Sequence, residues 1–315
     1  MALINQAYGP KRLTKVPYTY RQAVLELFTA GLIWGGSFTL MRWGLESFSA
    51  TTLIFWRFLI AFILGEALHY IFNKKLFRQS WYDARLAMLA GFFLGLSLFF
   101  QTYGLYFTTA TNSGFITSLY VVLIPIIGAL FFKTTIKAHH IVLSLMAFCG
   151  MGFLLDLQSL YLQKGEVLTL GAALTAAFQI IFIGKNAVHA RSAFRFNNYQ
   201  TFWSLLTILP FLVFDIRSND LSLWPQQVSL ASVLSMLSLA IVVSIGAFYL
   251  QVRAQRVLST TTSSMLCLLE APFAFIFAAY FLQERLGPIQ FLGAAIILLS
   301  CTLSIFIDRP KNRRS

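Results

Sequence analysis

Between Leu86 and Phe132 the chain runs for 47 residues without an Asp, Glu, Lys or Arg. As one straight helix that run would reach about 70 Å, more than twice the ~30 Å hydrocarbon thickness of a bilayer. A water-soluble fold would expose much of so long an uncharged run, whereas lipid accepts it provided every backbone amide is paired internally. The run must therefore fold back once, and the polar cluster Thr108, Thr109, Thr111, Asn112 and Ser113 at its middle is where it can turn. Composition agrees: 58% of the residues are hydrophobic and 11% charged, against about 25% charged in ordinary soluble domains.

The roughly 20-residue criterion for a spanning helix predicts spans near 22–43, 51–72, 86–107, 111–132, 139–157, 167–185, 197–216, 228–251, 258–282 and 287–307. The connections are too short for a soluble domain. Residues 1–21 and 308–315 read as polar tails, 22–157 as a first five-helix unit and 167–307 as a second. The first twenty residues carry Lys11, Arg12 and Lys15 without an apolar core and small-residue cleavage site, so they read as a lead-in to the first helix.

A net charge of +13 raises nucleic acid as a partner, but the distribution of the charge argues against it. Nineteen of the 24 Lys and Arg fall in the tails and alternate connections, four lie on the opposite side (Arg42, Lys164, Arg217, Arg285), and Arg57 lies inside a span. With ten helices this bias places both termini in the cytoplasm. Cys149, Cys267 and Cys301 sit far apart within apolar spans and read as small buried hydrophobes. His69, His139, His140 and His189 map to helix ends and read as solvated residues, so neither metal nor cofactor is implied.

The chain also repeats itself. Phe55-Trp56 recurs as Phe202-Trp203, Pro125 as Pro272, and the stretch Gln101 to Ser113 as Gln251 to Ser263, at intervals of 147 to 150 residues. Two similar units of five helices must enter the membrane from opposite sides. The expected fold class is therefore an all-α integral membrane protein of about ten transmembrane helices, built as two inverted five-helix repeats. That architecture belongs to secondary transporters, where the halves rock around a site near the bilayer midplane.

At these residues the chain resembles the EamA type of the drug/metabolite transporter superfamily, ten-helix bacterial permeases. Leu32-Ile33-Trp34-Gly35, Trp56-Arg57-Phe58 and Gln101-Thr102-Tyr103-Gly104-Leu105 running into Thr108-Thr109-Ala110-Thr111-Asn112 look like its first repeat. Leu269-Glu270-Ala271-Pro272 and Glu284-Arg285-Leu286 look like its second. Two places depart from the pattern: Lys133 to Lys137 stand where a Glu-Arg pair would follow the fourth helix, and Ala271 separates Glu270 from Pro272. The resemblance implies a transporter of small organic metabolites such as amino acids or drugs, often an exporter, in a bacterial inner membrane.

Polar groups inside spans are the site candidates, because lipid penalises them unless they face protein or a wet cavity. Glu270, the one ionisable residue of span 258–282, heads the set, and a carboxylate at that depth is costly unless paired, solvated or protonated. That makes protons a candidate coupling ion. Arg57 follows, either as a structural partner of Glu270 or as a holder of an anionic solute group. The amides Gln101, Asn112, Gln179 and Gln251 and the deep Trp34 complete the candidates. Pro125 and Pro272 interrupt the backbone at equivalent places and are hinge candidates. Gly31 with Gly35, and Gly91 with Gly95, form G-x-x-x-G steps for close helix approach. The rival functions are a non-transporting receptor or structural membrane protein, and an intramembrane enzyme, for which no nucleophile or metal-ligand motif stands in the chain. The partners expected are a small-molecule solute and the lipid bilayer.

Overall fold

The computed structural model describes residues 19–72, 80–133, 138–154, 164–219, 222–283 and 287–307. Among these residues the chain forms α1 (Tyr20–Gly44), α2 (Ala50–Phe72), α3 (Ser80–Gly104), α4 in two pieces (Ala110–Thr117 and Tyr120–Phe132) and α5 (Ala138–Leu154). The second half follows with α6 (Lys164–Asn186), α7 (Ala193–Asn219), α8 (Leu230–Ala254), α9 in two pieces (Thr260–Cys267 and Glu270–Phe281) and α10 (Pro288–Ile307). Nine of these are long and apolar enough to cross a bilayer, and α5 is a shorter apolar helix of 17 residues.

Capping chemistry sets several of the starts. A capping box opens α1, where Thr19 Oγ1 accepts from the Gln22 N–H and Gln22 Oε1 accepts from the Thr19 N–H at 2.9 Å. Thr109 caps α4 through the Asn112 N–H, and Ser259 caps α9 through the Thr262 N–H, so both repeats start this helix in the same way.

The Tyr20 hydroxyl donates to Ile305 O at 3.2 Å, which brings the start of α1 and the finish of α10 to one end of the bundle, the terminal end. At the far end, Ser232 Oγ donates to Trp43 O at 2.8 Å, and Gly165 of α6 abuts Gly104 and Phe107. Thus α1 starts at the terminal end and α6 at the far end, and the two halves run in opposite senses. Small residues let the helices meet. Gly31 and Gly35 face α9 at Leu269 and Phe273, Gly91 and Gly95 face α7 at Gln200, Trp203 and Thr207, and Gly150 faces the Gly293 carbonyl across the α5–α10 contact. Outward faces present Leu25, Ile71, Phe72, Leu130, Leu230 and Phe306, the surface of a multi-pass membrane protein.

Three expectations fail. Cys149 is not buried but sits on an exposed face of α5, because that short helix leans on α10 along its other side. His69 is buried against Arg195, whose Nη1 lies 2.8 Å from its Nε2, because α2 and α7 close over it. His140 is buried beside His139 at the start of α5. Glu284, Arg285 and the 73–79 and 134–137 connections lie outside the described residues.

Candidate functional site

A cavity of about 60 Å³, room for several water molecules, opens in the middle of the bundle. Trp34, Ser37 and Phe38 of α1, Arg57 of α2, Ser97 and Gln101 of α3, and Thr117 and Tyr120 of α4 form the first-repeat wall. Gln179 of α6, Phe248 and Gln251 of α8, and Cys267 and Glu270 of α9 form the second. The structure thus brings together Glu270, Arg57, Trp34, Gln101, Gln179 and Gln251, and leaves Asn112 apart. Asn112 sits half-buried in the first turn of α4, and its N–H donates to Thr109 Oγ1 at 3.0 Å.

The amides are partly engaged. Gln101 Nε2 donates to Thr117 Oγ1 at 3.0 Å, and Gln179 Nε2 donates to Gln251 Oε1 at 3.2 Å. Trp34 packs against Phe248 with ring centroids 5.3 Å apart and planes tilted by 53°, and its indole N–H is buried and unbonded. The two charges do not pair with each other: among the described residues no ion pair joins Arg57 to Glu270. Arg57 is 2% exposed, and its Nε donates to Ser244 Oγ at 2.8 Å. Glu270 is 7% exposed, and its buried carboxyl lies against the Tyr120 hydroxyl of the first repeat without a well-formed hydrogen bond to Oε1. A buried polar group without a partner costs about 1–3 kcal/mol, and more when charged. A solute that supplies the missing partner recovers that energy.

Backbone irregularities position these groups. In α4 the ladder tightens at Ser118–Leu119, where Leu119 N–H donates to Ile116 O and Val121 N–H to Ser118 O, both at 3.1 Å. In α9 the same happens at Leu268–Leu269, with Leu269 N–H to Leu266 O at 3.2 Å and Ala271 N–H to Leu268 O at 3.1 Å. Such tightened turns within a helix often mark hinges. Tyr120 and Glu270 are the first residues after the two breaks, equivalent positions of the repeat whose side chains lie next to each other in the cavity lining. Pro125 and Pro272 lie past the breaks, at the sixth and third residues of their second pieces. Pro125 leaves the Val121 carbonyl without its usual donor, and Ser144 Oγ of α5 reaches it at 3.4 Å.

Sequence reading missed Tyr120, Ser244 and the wide turn that holds Ser244. Residues Leu239–Ala247 of α8 wind as a π-helix, which displaces carbonyls from their α-helical partners. Asn197 Nδ2 donates to Ser244 O at 3.0 Å there, while the Ser244 hydroxyl receives Arg57. The β-branched run Ile241-Val242-Val243 followed by Gly246 was the available signal, since such residues are weak helix formers.

Comparison with known proteins places these features. The model of the EamA-like transporter family matches residues 21–155 and again 163–306. The chain is 31% identical over 300 residues to an "uncharacterized transporter" of Archaeoglobus fulgidus, covering 93% of this chain and 86% of that protein. A protein of known crystal structure superposes with a TM-score of 0.69 at 18% identity, covering 90% of this chain and 98% of its own, a likeness of fold.

Proposed function

Because the chain belongs to the EamA-like transporter family and is a membrane transporter, we propose that it moves small organic metabolites, such as amino acids or drugs, by alternating access around the central cavity. Export is the proposed direction. The observation that carries this reading is a pair of opposite, buried charges lining one cavity without an ion pair between them, Arg57 from the first repeat and Glu270 from the second. Arg57 would hold an anionic group of the solute, Glu270 a cationic group or a coupling proton, and Trp34 and Phe248 an apolar body.

A thermal-shift screen of small organic solutes on the detergent-purified protein tests this. A solute bound only by the folded state at a hundred times its Kd adds about 2.7 kcal/mol of stability. Arg57→Lys keeps the charge but loses the planar fork, and is expected to weaken that solute at least ~10-fold, or ~1.4 kcal/mol. Unchanged affinity in folded Arg57→Lys and Arg57→Leu would remove Arg57 from the site.

The Lys/Arg bias supports a cell-membrane orientation with the terminal end in the cytoplasm. Single cysteines at 73–85 and 186–196 should then resist an impermeant thiol reagent in intact cells or spheroplasts, and cysteines at 44–50 and 158–165 should react. Labelling of the 186–196 connection from outside would overturn this orientation.

A further inference from the structure

We infer that Glu66 and Asp215 are the two gate carboxylates of the transport cycle, one at each end of the contact between α2 and α7. The inference rests on the alternating-access reading and uses none of the cavity residues.

At the far end, Asp215 near the finish of α7 is 6% exposed and accepts from Thr51 Oγ1 of α2 at 2.7 Å and from the Tyr103 hydroxyl of α3. At the terminal end, Glu66 near the finish of α2 accepts from Asn198 Nδ2 of α7 at 2.6 Å. One turn further out, buried Arg195 of α7 meets His69 of α2, and its Nε lies 3.9 Å from Asp83 Oδ2 of α3. The same three helices are therefore tied at both ends, each time through a carboxylate.

The ties are related by the repeat. Thr51 and Asn198 stand 147 residues apart, the interval that separates Phe55-Trp56 from Phe202-Trp203. Each is a donor in the early part of its helix that reaches a carboxylate near the finish of the other. At Gly65, beside Glu66, an added Cβ would run into the Asn198 side chain, so the terminal-end tie depends on close approach. A rocking motion that opens one end must break the tie there while the other holds, and a hydrogen bond to a carboxylate, worth about 1.5–3 kcal/mol net, is weak enough to break and reform in a cycle.

The test reads distances without solute, so a failed gate assignment leaves the cavity reading standing. In a Cys149→Ser background, spin labels at Glu46→Cys with Ser218→Cys report the far end, and labels at Leu68→Cys with His189→Cys report the terminal end. These five positions are exposed, while Cys267 and Cys301 are buried. Asp215→Ala is expected to raise a population ~5 Å or more longer at the 46/218 pair alone, and Glu66→Ala at the 68/189 pair alone, each by at least ~5-fold. Thr51→Val and Asn198→Leu, which remove the donors at similar volume, should repeat the two patterns. Folded variants whose own end does not move, or whose two ends open together, overturn the assignment. Loss of folding in all four variants also overturns it, by making the ties purely structural.

Discussion

Glu270→Gln should reduce solute flux at least ~10-fold, equivalent to ~1.4 kcal/mol, while leaving the protein folded and as stable as before or more so. The stability half of this expectation follows from burial. A buried carboxylate with no ion-pair partner among the described residues contributes little to the fold, and a neutral isostere removes the cost of keeping an unpaired charge out of water. The flux half follows from position: Glu270 is the first residue after the α9 break, beside Tyr120, the first after the α4 break. A group that only braced the helices would behave the other way, losing stability before flux. If a proton is the coupling ion, the pH dependence of wild-type flux should disappear in Glu270→Gln. Wild-type flux at every pH tested would exclude an essential charge at this residue.

The second large effect is on folding. Gly35→Ala should strongly lower the midpoint of thermal unfolding, while Gly36→Ala, one residue away, should hold or raise it. Alanine gains about 1 kcal/mol over glycine in a helix interior by propensity alone, so both substitutions start with the same advantage. At Gly35 the new Cβ would lie 2.7 Å from Ala274 N and 2.8 Å from Phe273 C, backbone atoms of α9 that cannot move aside as a side chain can. Such overpacking typically costs 1–3 kcal/mol, and a clash with backbone belongs at the upper limit or beyond. At Gly36 the nearest atoms are those of the Phe277 ring at 3.6 Å, an ordinary contact. Equal midpoints for the two variants would contradict the α1–α9 packing described here.

What could be read from the sequence, and what could not, divides along physical lines. Uncharged runs report the spans because lipid excludes charge wherever the chain lies, and the G-x-x-x-G steps at Gly31 and Gly91 report close approach because nothing larger fits. The depth of Gln101, Gln179, Gln251, Arg57 and Glu270 within their spans pointed inward for the same reason, and the structure sets all five around one cavity. Asn112 fits the same polar-in-span pattern yet lies apart from the cavity, because a polar residue at a helix start satisfies that pattern within the capped first turn. Tyr120 and Ser244 escaped notice because their roles come from which backbone bonds tighten or widen, at Ser118–Leu119 and along Leu239–Ala247, and apolar periodicity carries no trace of that. The burial of His69 leaves no mark in the local sequence because it depends on Arg195, 126 residues away.

Flux across proteoliposomes measures transport through the cavity itself. Purified protein is reconstituted, the vesicles are loaded with a mixture of small organic metabolites, and loss of each solute is followed against protein-free vesicles. At least one solute should leave saturably through the wild-type protein, and Arg57→Leu and Glu270→Gln, both folded, should each slow it at least ~10-fold. Flux through wild-type protein that neither substitution alters would rule out transport through this cavity, as would a mixture in which every solute stays as long as in protein-free vesicles.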